Sequence, residues 1–177
     1  IIVSAFDIDT VVYPDYFARL TYVYLNTANP QKYSYQPVPF YTNNIWQAPA
    51  LARVVAFSAT FWHTLQQERA ERLTTFSSHS MAFQTLIDVN FWQTNMVSED
   101  SRIFWQALLR YNGDYGVIPL YYPIKMDANM TPSFLKTMKN LYKQQRRWSW
   151  GCENIPYILF GFLKNKKICF RKKMHYV

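Results

Sequence analysis

A chain of 177 residues with net charge +8, half of it hydrophobic and 19% aromatic, has room for one domain with a substantial core. That composition excludes a disordered tail, and the charge favours anionic partners: phosphates, nucleic acid or anionic lipid. Two cysteines in no ligand spacing, three scattered histidines and four glycines outside any phosphate-cradling pattern argue against a redox pair, a zinc centre and a glycine-rich loop.

The opening "IIVSAF" has the character of a buried strand already in progress and lacks an initiator methionine, so an internal piece of a longer protein is expected. "DIDT" follows, then "VVYPDYFARL" as a turn into a short helix. The polar, proline-containing stretch 26–44 predicts strand and loop. Residues 49–71 predict a helix, because Leu51, Val54, Val55, Ser58, Trp62 and Leu65 recur at intervals of three and four. The Ser/Thr-rich stretch 73–83 predicts loop or strand bordering a pocket. "SEDSRIFWQALLRYNG" predicts a helix capped by Ser98, with Glu99 and Asp100 in its first turn. Ile103, Phe104, Ala107, Leu108 and Tyr111 form one face of it, and Gly113 ends it. "DYGVIPLYYPI" predicts a strand. Thr131-Pro132 predicts the start of a last long helix, with Phe134, Leu135, Met138, Leu141, Tyr142 and Gln145 along one stripe. Strands alternating with helices predict an α/β domain with a mainly parallel sheet between helical layers. The longest late apolar run, "IPYILFGFL" at 155–163, is far short of the roughly 20 residues that cross a bilayer, and 51–62 is also too short and carries Arg53.

Three stretches can carry chemistry. In "FDIDT", residues i and i+2 of a strand share a side, so Asp7 and Asp9 would aim two carboxylates at one point, which suits a hard divalent cation shared with phosphate oxygens. The alternative is two acids at a turn. In "SED", Asp100 is either a general base or, with Glu99, an acid favoured by the helix dipole. In "QQRRW", Arg146 and Arg147 beside Trp148 suit phosphate oxygens next to a flat apolar platform, single-stranded nucleic acid, or an exposed cationic helix end.

Taken in order, Asp7-Ile8-Asp9, Ser98-Glu99-Asp100 and Gln144-Gln145-Arg146-Arg147-Trp148 resemble the processive type of family 2 glycosyltransferases, the group of cellulose, chitin and hyaluronan synthases. The flanks "YPDYF" and "EDSRIFWQALLRY" and Gly151 agree, and Ser98 stands where that family usually has threonine. The resemblance covers most of residues 1–151 and implies the GT-A fold and transfer from a nucleotide-sugar donor, a UDP-sugar, to a hydroxyl of a glycan or lipid acceptor. It implies that Asp7 and Asp9 hold Mg²⁺ or Mn²⁺ at the diphosphate and that Asp100 is the base of an inverting reaction. It also implies that Glu99, Gln144, Arg147 and Trp148 bind donor and acceptor, Arg147 at phosphate and Gln144 and Trp148 at the acceptor sugar.

On this reading residues 1–151 are the C-terminal catalytic part of a GT-A domain, whose nucleotide-binding half would precede Ile1. Residues 152–177, with "KNKKICFRKK", form a basic segment beside a membrane, placing the protein at the cytoplasmic membrane face through segments outside this chain. Gln145, Arg146 and Trp150 fall to structural roles, and no nucleic acid is expected. Two rivals remain: a non-catalytic basic module for RNA or anionic membrane, and a glycoside hydrolase with paired carboxylates, which leaves the Arg/Trp helix without a purpose.

Overall fold

The computed structural model describes residues 1–176. In chain order it contains β1 (Ile2–Ser4), β2 (Val11–Val12), α1 (Tyr16–Asn26), β3 (Tyr33–Phe40), α2 (Ala50–Gln67), β4 (Ser80–Ala82) and α3 (Phe83–Asp88). Then follow α4 (Glu99–Arg110), β5 (Gly116–Lys125), α5 (Phe134–Ser149), a 3₁₀ turn (Trp150–Glu153), α6 (Asn154–Lys164) and α7 (Phe170–Tyr176). The strands form one five-stranded sheet in the order β1-β4-β3-β5-β2, flanked by helices.

The class is α/β, as the alternation of elements predicts, but the sheet is mostly antiparallel. Only β3 and β5 run parallel; β1–β4, β4–β3 and β5–β2 are antiparallel. The reason lies in the connections. A parallel neighbour needs a crossover that returns the chain to the starting end. Residues 5–10 instead pass straight from β1 at one edge to β2 at the other, with no helix to bring the chain back. After α2, the loop 68–79 carries the chain on again, so β4 enters against β3.

The parallel pair is irregular at its centre. Gln36 faces Pro119 and Val38 faces Pro123, so β5 bulges around Tyr121, whose φ is +49°. Prolines 37, 39, 119 and 123 cannot donate to the ladder, which is why the register slips there. The bulged N–H of Tyr121 donates instead to Gln67 Oε1 at 3.3 Å.

The largest core lies between the sheet and α4. Ile103, Phe104, Ala107 and Leu108 are fully buried, on the face the periodicity of α4 predicts, and α6 packs over them through Ile158 and Phe162. The helix ends with the N–H of Gly113 on Leu108 O at 2.7 Å and Asn112 N–H on Leu109 O at 3.2 Å. Asn112 therefore takes the left-handed position (φ +56°) and Gly113 follows it at +85°. A second cluster joins α1 to β3 and β5 through Tyr16, Leu20, Tyr35, Leu120 and Ile124. The stretch 152–177 supplies Ile158, Phe162 and Ile168 to the largest core. Among the described residues no helix is long and apolar enough to cross a membrane.

The predicted stripe of α5 holds at Met138 and Leu141, which pack against α2, but Phe134, Leu135 and Tyr142 are exposed and the polar Thr137 is buried. The inward face follows 137, 141 and 144, spacings of four and three, which the polar threonine and glutamine disguise in the sequence.

Candidate active site

A cavity of about 1110 Å³ opens at the C-terminal ends of β3 and β5, where Tyr41 and Asp127 leave the sheet. Open α/β sheets hold ligands at this end of their parallel strands. All seven residues singled out from the sequence line it: Asp7, Asp9, Glu99, Asp100, Gln144, Arg147 and Trp148. They come from three elements far apart in the chain.

Asp7 and Asp9 lie beyond β1, in a turn closed by the Thr10 N–H on Asp7 O at 3.0 Å. The strand geometry expected for them is therefore replaced by a turn, because the chain leaves β1 to cross the sheet. Each carboxylate has its own partner. Ser77 Oγ donates to Asp7 Oδ2 at 2.6 Å, and the Asp127 N–H donates to Asp9 Oδ2 at 3.2 Å.

Asp100 stands in the first turn of α4, one turn before Ile103 and Phe104, so it inherits the half-buried edge of the core face. Burial pushes its carboxyl up to about 6. The Ser101 N–H on Asp100 Oδ1 at 2.7 Å pulls the other way, and the charges of Glu99 and Asp7 add to the rise. Desolvation thus outweighs the stabilisation a helix N-terminus gives a carboxylate. The carbonyl of Asp100 accepts from Thr75 Oγ1 at 2.6 Å. Ser98 does not cap the helix; its hydroxyl donates to Glu153 Oε1 at 2.8 Å.

Gln144, Arg147 and Trp148 stand at i, i+3 and i+4 on α5, which puts them on one face. Trp148 is 42% exposed, so an indole face is free for contact. Arg147 forms no ion pair among the described residues. Gln145, expected to be structural, also lines the cavity. Arg146 and Trp150 are exposed and do not.

Several lining residues were not legible beforehand. Tyr41 has its hydroxyl pushed up to about 12, first by burial and then by Asp7, Asp9 and Asp100, so it stays a neutral donor among three acids. His63 stacks on Phe76 with ring centroids 4.1 Å apart, and burial lowers it to about 4, leaving it neutral. Pairing β3 beside β5 in advance would have pointed to Tyr41 and Asp127 as the residues just past both strand ends.

The lining carries five carboxylates (Asp7, Asp9, Glu99, Asp100, Asp127) against one guanidinium, that of Arg147. A diphosphate entering it is repelled unless a cation accompanies it. No group of three or more His, Cys, Asp or Glu able to hold a metal occurs among the described residues. Two carboxylates with the remaining positions taken by phosphate and water is nonetheless the usual way Mg²⁺ is held, and the hard oxygens of Asp7 and Asp9 fit that donor set.

A mixed α/β domain with a helix-flanked, five-stranded sheet fits a GT-A-like transferase domain. The sequence pattern described as Glycosyl transferase family group 2 matches residues 2–175, and the chain belongs to that family. Membership implies a glycosyltransferase that uses a nucleotide-sugar donor and an acceptor. No curated protein matches the chain.

Proposed function

We propose that this chain is the catalytic part of an inverting, metal-assisted glycosyltransferase, moving a sugar from a UDP-sugar to a hydroxyl of a glycan or lipid acceptor. The observation that carries the reading is the convergence of Asp7, Asp9, Asp100, Gln144, Arg147 and Trp148 on one cavity.

Asp100 takes the proton of the acceptor hydroxyl, whose oxygen attacks the anomeric carbon from the face opposite the diphosphate while the bond to the diphosphate oxygen breaks. A carboxyl near 6 is mostly ionised at neutral pH and more basic than an ordinary aspartate. Arg147 receives phosphate oxygens and stabilises the charge that grows on the leaving group. Trp148 offers its flat face to the C–H face of the acceptor pyranose, with Gln144 beside it as a hydrogen-bonding group. Asp7 and Asp9 would hold Mg²⁺ or Mn²⁺, which supplies Lewis-acid neutralisation of the diphosphate. Glu99, exposed and lining the same cavity, contributes to binding donor or acceptor.

The exposed apolar residues Phe160, Leu163 and Phe170, interleaved with Lys164, Lys166 and Lys167, support contact of 152–177 with the cytoplasmic membrane face. The five acids of the cavity disfavour the rival in which the Arg/Trp helix binds RNA.

The test is Asp100→Asn in the complete protein. Sugar transfer is expected to fall by at least about 10³-fold while nucleotide-sugar binding survives. Near-normal turnover in that variant sinks the base assignment. Activity unchanged by EDTA removes the role given to Asp7 and Asp9.

A further inference from the structure

The first turn of α4 is tied by side chains to the residues that follow α5. Arg102 is 8% exposed, yet it forms no ion pair among the described residues. Its Nε donates to Asn154 Oδ1 at 2.6 Å and its Nη2 to the Glu153 carbonyl at 3.3 Å. Its guanidinium carbon lies 3.9 Å from the centroid of the Tyr157 ring. Asn154 Nδ2 donates in turn to Ser101 Oγ at 2.9 Å, and Ser98 Oγ donates to Glu153 Oε1 at 2.8 Å.

These bonds grip α4 at 98, 101 and 102, on both sides of Asp100. On the other side they hold Glu153 and Asn154, separated from Trp148 by little more than the 3₁₀ turn Trp150–Glu153. Apolar packing of Ile103, Phe104 and Ala107 against Ile158 and Phe162 already joins α4 to α6. A buried cation hydrogen-bonded to neutral groups, with the Glu153 charge near it but not paired, is a costly addition to such a contact, and an apolar residue of similar volume packs there at least as well. What the polar network adds is fixed geometry at the cavity end of the two helices.

We propose that Arg102, Asn154 and Glu153 are positioning residues that hold the Asp100 carboxylate in register with Arg147 and Trp148. The inference rests on the proposed role of Asp100. Its chemistry is that of preorganisation: a displacement on the order of 1 Å between a base and the site that binds the reacting groups costs about 10²-fold in rate.

The experiment compares Glu153→Ala, Glu153→Gln, Asn154→Ala and Asp100→Asn in the complete protein, with kcat, donor KM and the thermal midpoint measured for each. Glu153→Ala is expected to lower kcat by about 10- to 100-fold, with donor KM within about threefold and the midpoint nearly unchanged. Glu153→Gln keeps an oxygen for the Ser98 hydroxyl and is expected to restore most of kcat. Glu153 is only half-buried, so its two variants decide the matter even where Asn154→Ala fails to fold. Wild-type kcat in Glu153→Ala alongside an inactive Asp100→Asn overturns the positioning role and leaves the base assignment intact. A kcat loss matched by lost folded protein, or not rescued by glutamine, overturns it as well. An active Asp100→Asn removes the base and the positioning role together.

Discussion

Thr75 holds the backbone of Asp100 through a 2.6 Å hydrogen bond, and Ser77, two residues on, holds the Asp7 carboxylate at the same distance. One short loop thus positions both Asp100 and Asp7. Gln36, fully buried on β3, pins that loop by accepting from the Phe76 N–H at 3.0 Å and donating to the Ser77 carbonyl at 3.1 Å. The acids of the site are set relative to one another through the sheet, without touching.

The pH profile of transfer is expected to show an acid limb near 6. Asp100 must be ionised to act, so activity falls as pH drops through the value at which burial, with Glu99 and Asp7, places its carboxyl. An acid limb near 4, in a profile of kcat/KM, which reports the free enzyme, contradicts the assignment.

The same burial makes Asp100 a liability for stability. A carboxyl raised in the folded state, from an ordinary 3.8 to about 6, holds its proton more tightly there than in the unfolded chain. Stability therefore declines as pH rises from about 4 to about 6, and the loss is complete above that window. Asp100→Asn is expected to add on the order of 2 kcal/mol at pH 7 and to raise the thermal midpoint by about 4–8 °C while abolishing transfer. Equal midpoints for the two proteins at pH 7 and at pH 4 refute it.

Ser77→Ala leaves Asp7 without the hydroxyl that orients it. Loss of such a supporting contact typically weakens a metal site by about 10- to 100-fold. The Mn²⁺ concentration giving half-maximal transfer is expected to rise by that factor, with stability changed by less than about 1 kcal/mol. An unchanged Mn²⁺ dependence separates Ser77 from the acid pair.

Arg147→Lys keeps the charge but loses the planar pair of donors. The expected result is a rise of about tenfold in donor KM with an unaltered thermal midpoint, because the side chain is exposed. A donor KM equal to wild type shows that Arg147 does not meet phosphate.

Gly161 of α6 lies against Leu109 of α4, and a Cβ there would collide with Leu109 Cδ1. Gly161→Ala is expected to cost about 1–3 kcal/mol by forcing the helices apart. Pairing it with Leu109→Ala is expected to return part of that, which a denaturation series on the single and double variants measures.

How far the sequence reached follows from where each determinant lies. The core face of α4 was readable because its periodicity is local. The shared face of Gln144, Arg147 and Trp148 follows from the spacing alone. Sheet direction was not readable, because it depends on whether residues 5–10 and 68–79 return the chain, which no propensity reports. Ser98 stands where a cap is expected, but its hydroxyl goes to Glu153, 55 residues away, which no local pattern signals. The α5 stripe is right only at Met138 and Leu141, because the inward face also includes Thr137 and Gln144, which carry no apolar signal. Tyr41 and His63 gave none either, since only tertiary contact sets them beside the acids, whereas Ser77 lies in the Ser/Thr-rich stretch expected to border a pocket.

The two bonds that orient the acid pair span 70 and 118 residues, from Ser77 to Asp7 and from Asp127 to Asp9. Contacts of such separation form late, after the chain has met the entropic cost of closing long loops. During refolding, helical signal is therefore expected to return before any capacity to bind Mn²⁺ or nucleotide-sugar, and α4 can be native while the site beside it does not yet exist. Synthesis from the N-terminus imposes the same order: Asp7 and Asp9 emerge before Ser77, and Ser77 before Asp127.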